Sequence, residues 1–314
     1  MEKSIYDVAI LGAGPAGLTA AIYASRAFLK TVVISGDPAG GQLMLTTDVE
    51  NFPGFPGGIL GPDLILNLRK QAEKFCSMFI EENVMKISGS SKQGFIVETY
   101  SGAKYKAKTL IVTTGASAKW LGLENEQRLR GKGVSACATC DGFFFKGKVV
   151  AVVGGGDAAM EESTFLTRFA TKVYVLVRGS KENVRASKIM SHRAFSNPKI
   201  EFMFNTEVAE VLGQDRVQGL KIINNVAKKT SVLSDVEGLF ISIGHQPNTE
   251  FLKGFLDLDE KGYVIKITNG TKTSKEGVFV AGDAADYKYR QAVTAAGMGC
   301  MAAIDAQKYL AGHA

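Results

Sequence analysis

Two stretches of this sequence are built alike: "DVAILGAGPAGLTAAIYASR" at residues 7–26 and "KVVAVVGGGDAAMEESTFLTRF" at residues 148–169. Each opens on a short apolar run, Val8 to Leu11 and Val149 to Val153, rich in residues that favour strands. Each then passes through glycines into a segment whose apolar and small residues recur at helical spacing. A second strand-like run follows each, "KTVVIS" (30–35) and "KVYVLV" (172–177). Strand, glycine turn, helix and strand, twice over, is the pattern of doubly wound α/β domains. Three more apolar runs, "TLIVTTGA" (109–116), "GLFISIGH" (238–245) and "GVFVAGDAAD" (277–286), end in small or polar residues. The fold class predicted is α/β, with two doubly wound, Rossmann-like dinucleotide-binding domains. The second is inserted in the first: residues 1–114 and 244–314 form one domain and residues 117–242 the other.

At 314 residues the chain has room for two cores, and its 46% hydrophobic and 22% charged content is that of a soluble globular protein. No apolar run approaches the roughly 18 residues of a membrane-spanning helix, and Asp7 interrupts the N-terminal run, so neither membrane insertion nor a signal peptide is expected. A cytoplasmic location follows as the expectation. The net charge of +6 is spread without a basic run or aromatic-interleaved helix, so nucleic acid is not a predicted partner.

In the first loop each glycine has a physical task. Gly12 permits the tight turn, Gly14 lets a pyrophosphate approach the backbone, and Gly17 lets the helix pack closely on the strand. The helix N-terminus then offers free N–H groups to the phosphates. Asp37, 20 residues past Gly17, is a candidate for the ribose, although it lies beyond the strand end. The second loop, Gly154 to Ala159, has alanine at its last position, and no acid ends the following strand. Arg178 stands 22 residues after Gly156, and Arg185 follows. Arginines there suit a 2′-phosphate, hence NADP(H); the plainer reading is a pair of surface arginines.

Between the loops lies "VSACATCDGFFF" (134–145), holding Cys137 and Cys140. Such a pair can be half of a zinc site, a redox disulfide or two buried thiols. Zinc takes four ligands, and the isolated Cys76 and Cys300 and the three histidines give no matching spacing, so no metal is expected. Asp141 adjoins the pair and supplies the proton donor or acceptor that thiol–disulfide exchange needs. A redox disulfide is the reading that remains. One loop can serve a flavin and the other a nicotinamide, with the cysteines taking electrons onward.

In order and spacing, "GAGPAG", "GGQL" (40–43), "ENFPGFP" (50–56), "TTGA", "GVSACATCDG", "GGGDAAMEE", "ISIGHQPNT", "GVFVAGDAAD" and "YRQAVTAAGMGCMAA" resemble the low-molecular-weight thioredoxin reductases. The likeness spans essentially the whole chain. It implies that FAD is held by the outer segments, at Gly12, Gly14, Pro15, Ala16, Gly17, Gln42, Asn51, Gly115, Gly282, Asp283, Arg290, Gln291 and Ala292. It implies NADPH on the inserted domain, at Gly154, Gly156, Asp157, Ala158, Arg178 and Arg185. Cys140 is then the cysteine nearer the flavin, Cys137 the one that attacks the disulfide of thioredoxin, and Asp141 the acid–base. The partner implied is a separate thioredoxin, and the assembly a homodimer. Many members read H-R-R-D after the nicotinamide strand, whereas Val177-Arg-Gly-Ser180 stands here. One phosphate-clamping arginine is therefore absent, Lys181 is the candidate substitute, and use of NADH stays open. A dithiol oxidase, a reductase of another redox protein and a non-catalytic flavin sensor are the competing readings. The intact second loop opposes the oxidase, and the Cys-x-x-Cys-Asp run opposes the sensor.

Overall fold

A computed structural model describes residues 5–37, 39–46, 48–267 and 269–313. The chain divides into two compact units, Met1–Ser117 with Gln246–Ala314, and Ala118–His245. No described helix is long and apolar enough to cross a membrane.

The outer unit is built on a seven-stranded sheet. At its centre Tyr6–Leu11 lies parallel to Thr31–Ile34 on one side and to Lys104–Val112 on the other. Met78–Ile80 and Val278–Val280 extend the parallel part, while Val84–Ser90 and Gly94–Thr99 pair antiparallel. Side chains of one strand alternate between two cores. Val8 and Ile10 join the helices Pro15–Arg26 and Ala292–Ala311 on one face. Ala9 and Leu11 join Phe95, Leu252 and Val280 on the other. Because both faces are covered, the central strand reads as a near-continuous apolar run.

The two helices meet backbone to backbone. A Cβ on Gly299 would lie 2.1 Å from the Ala16 carbonyl oxygen, so only glycine fits there. That contact clamps the start of the first helix, where the glycine loop ends.

The inserted unit repeats the plan with a five-stranded parallel sheet in the order Val134–Ser135, Val236–Ile241, Val149–Val153, Lys172–Val177 and Ile200–Phe204. Val150 and Val152 face one core, Ala151 and Val153 the other. A three-stranded antiparallel sheet, Thr206–Leu212, Gly219–Asn224 and Thr230–Leu233, follows. Gly115 and Gly244, beside the two places where the chain passes between units, have φ of +69° and +103° with open space where a Cβ would stand.

One anchor of the inserted unit does not show in the sequence pattern. Glu126, in the polar run Glu124–Arg128, is fully buried. Its Oε1 accepts the Leu121 amide at 2.8 Å, and Oε2 accepts those of Gly122 at 2.8 Å and Leu123 at 3.2 Å. Three amides turned onto one carboxylate fix the segment that opens the unit. Glu126→Ala should therefore destabilise the protein by on the order of 3 kcal/mol, since three amides lose a charged acceptor. Urea unfolding measures it, and a loss under about 1 kcal/mol would show that water replaces the carboxylate.

Candidate functional site

The first glycine loop is shaped by contacts that a side chain would prevent. Gly12 has φ +112°, and a Cβ on it would lie 2.4 Å from the Thr113 carbonyl oxygen. A Cβ on Gly17 would lie 1.9 Å from the Gly12 carbonyl oxygen, so this helix can sit on its strand only with glycine here. Gly14, by contrast, faces open space: nothing stands within 4 Å of where its Cβ would be. Gly14 caps the helix with no side-chain hydrogen bond, and Pro15 begins it. The amides of the first turn, with the positive end of the helix dipole, are thus left to an anion.

Other segments gather around this opening. Gly41, at φ +70°, would bring a Cβ 3.8 Å from the Gly14 Cα, which places Gly41 and the adjoining Gln42 over the loop. Gly282, at φ +72°, would bring one 3.0 Å from the Ala16 Cβ, which sets Gly282 and Asp283 beside the helix start. Asn51 Nδ2 donates to Gln291 Oε1 at 3.4 Å, joining positions far apart in the chain. Gln291 caps the long helix that begins at Ala292. Asp37 is exposed, and its backbone is tied to Asn83 by hydrogen bonds of 3.1 and 3.2 Å.

Two hydroxyls at this edge were not singled out from the sequence. Ser35 and Thr114 directly follow the strand end and the Thr113 position, and Ser35 Oγ and Thr114 Oγ1 are buried without a hydrogen-bond partner among the described residues. Gly115 comes next, its carbonyl accepting the Asn248 amide at 3.0 Å. Buried, unpartnered hydroxyls at the carboxyl ends of strands beside an open glycine loop fit a polar ligand there. The small polar residues that end "VVIS" and "TTGA" are the signal that could have found them.

Asp283 carries the largest electrostatic perturbation of this edge. Burial, reinforced by the charge of Asp286 and opposed by Arg290, raises its carboxyl pKa to about 6. Asp286 accepts the amides of Lys288 and Tyr289, both at 2.9 Å, and of Arg290 at 3.2 Å. That cap holds Arg290 at φ +48°, a left-handed conformation that a non-glycine residue seldom takes unaided.

The second loop has the same construction. A Cβ on Gly154, at φ +152°, would lie 2.4 Å from the Ser242 carbonyl oxygen, and Gly156 faces open space. Asp157 Oδ1 accepts the Ser187 amide at 2.7 Å, and the Arg185 amide donates to the Gly155 carbonyl at 2.8 Å. The structure thereby straps the Arg185 segment onto the glycine loop beside Asp157 and Ala158. The Arg178 side chain is 83% exposed just past the end of its strand, its Nε 3.9 Å from Glu207 Oε1. Lys181 stands 5.2 Å over the Phe195 ring, so its ammonium is engaged with an aromatic face.

Cys137 and Cys140 form a disulfide with Cα atoms 5.3 Å apart. Cys137, half-buried, caps the short helix Ala138–Asp141, and its Sγ accepts the amide of the exposed Cys140 at 3.2 Å. Ser135 Oγ accepts the Cys137 amide at 3.0 Å. Burial pushes the Asp141 carboxyl up, and a hydrogen bond with the Ser135 side chain opposes it. Among the described residues no group of three His, Cys, Asp or Glu side chains is placed to hold a metal ion.

Comparison with known proteins agrees with this geometry. The profile of the pyridine nucleotide-disulphide oxidoreductase family matches residues 6–299. A thioredoxin reductase of Streptomyces coelicolor is 53% identical over 312 residues, 98% of this chain and 95% of that one. A bifunctional thioredoxin reductase/thioredoxin of Mycobacterium leprae is 48% identical over 315 residues, 100% of this chain and 68% of that one. Among solved structures, thioredoxin reductase from Giardia duodenalis superposes with a TM-score of 0.92 at 44% identity, covering 98% of this chain and 99% of that one.

The raised Asp283 pKa gives the protein without cofactor a pH signature. Its carboxyl moves from an ordinary 3.8 to about 6, so between those values the folded state holds the extra proton. Stability should then fall as pH rises through that window, by up to about 3 kcal/mol, and stay lowered above it. Asp283→Asn should remove this slope and leave the cofactor-free protein more stable than wild type at pH 7. Urea unfolding at pH 4.5 and pH 7 reads the difference, and parallel behaviour of the two proteins would refute it.

Proposed function

Because the chain belongs to the pyridine nucleotide-disulphide oxidoreductase family, and within it to the thioredoxin reductases, we propose that it carries electrons from NADPH through FAD and the Cys137–Cys140 disulfide to a separate, oxidised thioredoxin. The observation that carries this reading is a C-x-x-C disulfide placed just before a second glycine loop, in a unit that does not contain the first. Bound there, FAD would supply the two-electron chemistry that links hydride transfer from a nicotinamide to reduction of a disulfide.

The chain's own residues do the rest. The first-turn amides beyond Gly14, with Ser35, Thr114 and Asp283 at the rim, would hold FAD; Gly156 and the strapped Arg185 segment would hold NADPH. Of the two thiols, Cys137 is the better nucleophile by position. The Cys140 amide points at its sulfur, and a donated hydrogen bond favours a thiolate. That thiolate attacks one sulfur of the partner's disulfide, breaking the S–S bond and forming a mixed disulfide. Cys140 then attacks Cys137, which closes the internal disulfide and releases the partner as a dithiol. The partner gains two electrons and two protons, and the Cys137–Cys140 dithiol loses them. Asp141, its carboxyl raised by burial, is placed to hold and return a proton next to Cys140. The same family likeness carries the expectation of a homodimer, which sedimentation of the purified chain checks.

Anaerobic NADPH with the organism's own thioredoxin is the direct test. Wild type should bleach its flavin absorbance and reduce the thioredoxin. Cys137→Ser and Cys140→Ser should still bleach but leave the thioredoxin oxidised. Thioredoxin left oxidised by wild type would reject the assignment.

The weakened phosphate clamp makes a quantitative expectation. One charge-assisted contact contributes about 1.5–3 kcal/mol, on the order of ten- to a hundredfold in affinity. Arg178→Ala should accordingly raise KM for NADPH about tenfold and hardly change that for NADH. If wild type used the two dinucleotides equally, Arg178 and Arg185 would not be reading the 2′-phosphate.

A further inference from the structure

One side chain ties the second glycine loop to the segment that carries Arg185. Asp157 is the first residue of the helix Asp157–Leu166, and its Oδ1 accepts the Ser187 amide at 2.7 Å. Ser187 is itself the N-cap of the helix Lys188–Phe195, its hydroxyl accepting the Met190 amide at 3.4 Å. Asp157 therefore joins the N-termini of two helices. Two other ties on this segment run backbone to backbone: the Gly179 carbonyl accepts the Asn205 amide at 2.8 Å, and the Gly155 carbonyl accepts that of Arg185 at 2.8 Å. The Asp157 tie differs from them because it needs a side chain, so the residue type at position 157 controls it.

Arg185 takes its direction from its neighbours. Val184 and Ala186 pack against the core that holds Val177 and Ala194, while Arg185 between them is exposed. Val184 is extended, at φ −66° and ψ 122°, and successive side chains of an extended segment point opposite ways. Ties at the Arg185 amide and at Ser187 then fix the backbone on which the guanidinium stands. A fixed backbone leaves only the side chain to be ordered when an anion binds. The Asp157 carboxylate is ill suited to touch a phosphate itself, since the two carry like charge. The first-turn amides and the positive end of the helix dipole are the groups there that favour an anion.

We propose that Asp157 is a positioning residue for the 2′-phosphate of NADPH, acting through Arg185: its carboxylate fixes the Ser187 amide and thereby presents the guanidinium to the phosphate. This rests on the placement of NADPH on the inserted unit. Asp157→Ala removes the acceptor, whereas Asp157→Asn keeps an oxygen that can accept the amide and removes only the charge. Ser187→Pro removes the donor instead, at a residue whose φ of −56° suits proline. Ser187→Ala keeps that donor and loses only the hydroxyl.

The experiment titrates NADP+ and NAD+ calorimetrically into the FAD-loaded protein, for wild type, these variants, Arg185→Ala and the double variant of Asp157→Ala with Arg185→Ala. Thermal unfolding of each is recorded alongside. Asp157→Ala and Ser187→Pro should weaken NADP+ binding about tenfold, and Arg185→Ala by about ten- to a hundredfold. NAD+, which lacks the 2′-phosphate, should bind every variant as it binds wild type. Asp157→Asn and Ser187→Ala should keep NADP+ affinity within about twofold, since the tie survives in both. The double variant should be no weaker than Arg185→Ala alone, since a residue acting through another adds nothing once that other is gone. Wild-type NADP+ affinity in Asp157→Ala overturns the proposal, as do penalties that multiply in the double variant. An equal loss of NADP+ and NAD+, with or without a lowered melting temperature, identifies a role in the loop or the fold and overturns it too. A loss in Asp157→Asn as large as in Asp157→Ala assigns the effect to charge and has the same consequence. If wild type itself binds neither dinucleotide, the nicotinamide site assignment fails first, and that outcome is distinct from the others.

Discussion

Contact between backbones around two glycines is the constraint on which both units depend. Gly12 turns against the Thr113 carbonyl and Gly154 against the Ser242 carbonyl, each with no more than 2.4 Å for a Cβ. The turn that results aims an uncapped helix end at open space, over Gly14 in one unit and Gly156 in the other. Among the described residues no capping side chain satisfies those first-turn amides, so their hydrogen-bonding capacity and the helix dipole are available to a phosphate. The two loops differ where packing differs. The first helix is also pressed by Gly299 against Ala16, and its inner position must be glycine; the second helix tolerates Ala159.

Around the disulfide, one hydroxyl serves two groups. Ser135 Oγ accepts the backbone amide of Cys137 at 3.0 Å, and the same side chain opposes the upward shift of the Asp141 carboxyl. Burial and that side chain pull the Asp141 proton affinity in opposite directions, with burial the larger. A carboxyl held above its ordinary range can pass protons closer to neutral pH than a solvated one. The edge around Asp283 uses the same means. There Asp283, Asp286 and Arg290 form a cluster in which burial and a like charge raise one carboxyl and a guanidinium opposes them.

Much of the site could be read in the sequence because its signals are local. A glycine is required where a Cβ would collide within a few residues, as at Gly17 against Gly12. Strands covered on both faces appear as unbroken apolar runs, and a C-x-x-C pair closes across one short helical turn. Other parts could not be read because their partners are remote. Asn51 and Gln291 meet across 240 positions. Glu126 looks like one more charge in "ENEQR", and only the inward turn of Leu121, Gly122 and Leu123 makes it a buried anchor.

By itself the sequence determined the two glycine loops, the parallel strands that bear them and the reactive cysteine pair, since each depends on residue types at short fixed spacing. The tertiary structure decided which polar groups complete those loops. Ser35 and Thr114 acquire meaning only at the buried ends of neighbouring strands, and Lys181 only when its ammonium is found over Phe195. Burial and hydrogen bonding between distant segments set proton affinity and side-chain direction, and no local pattern encodes either.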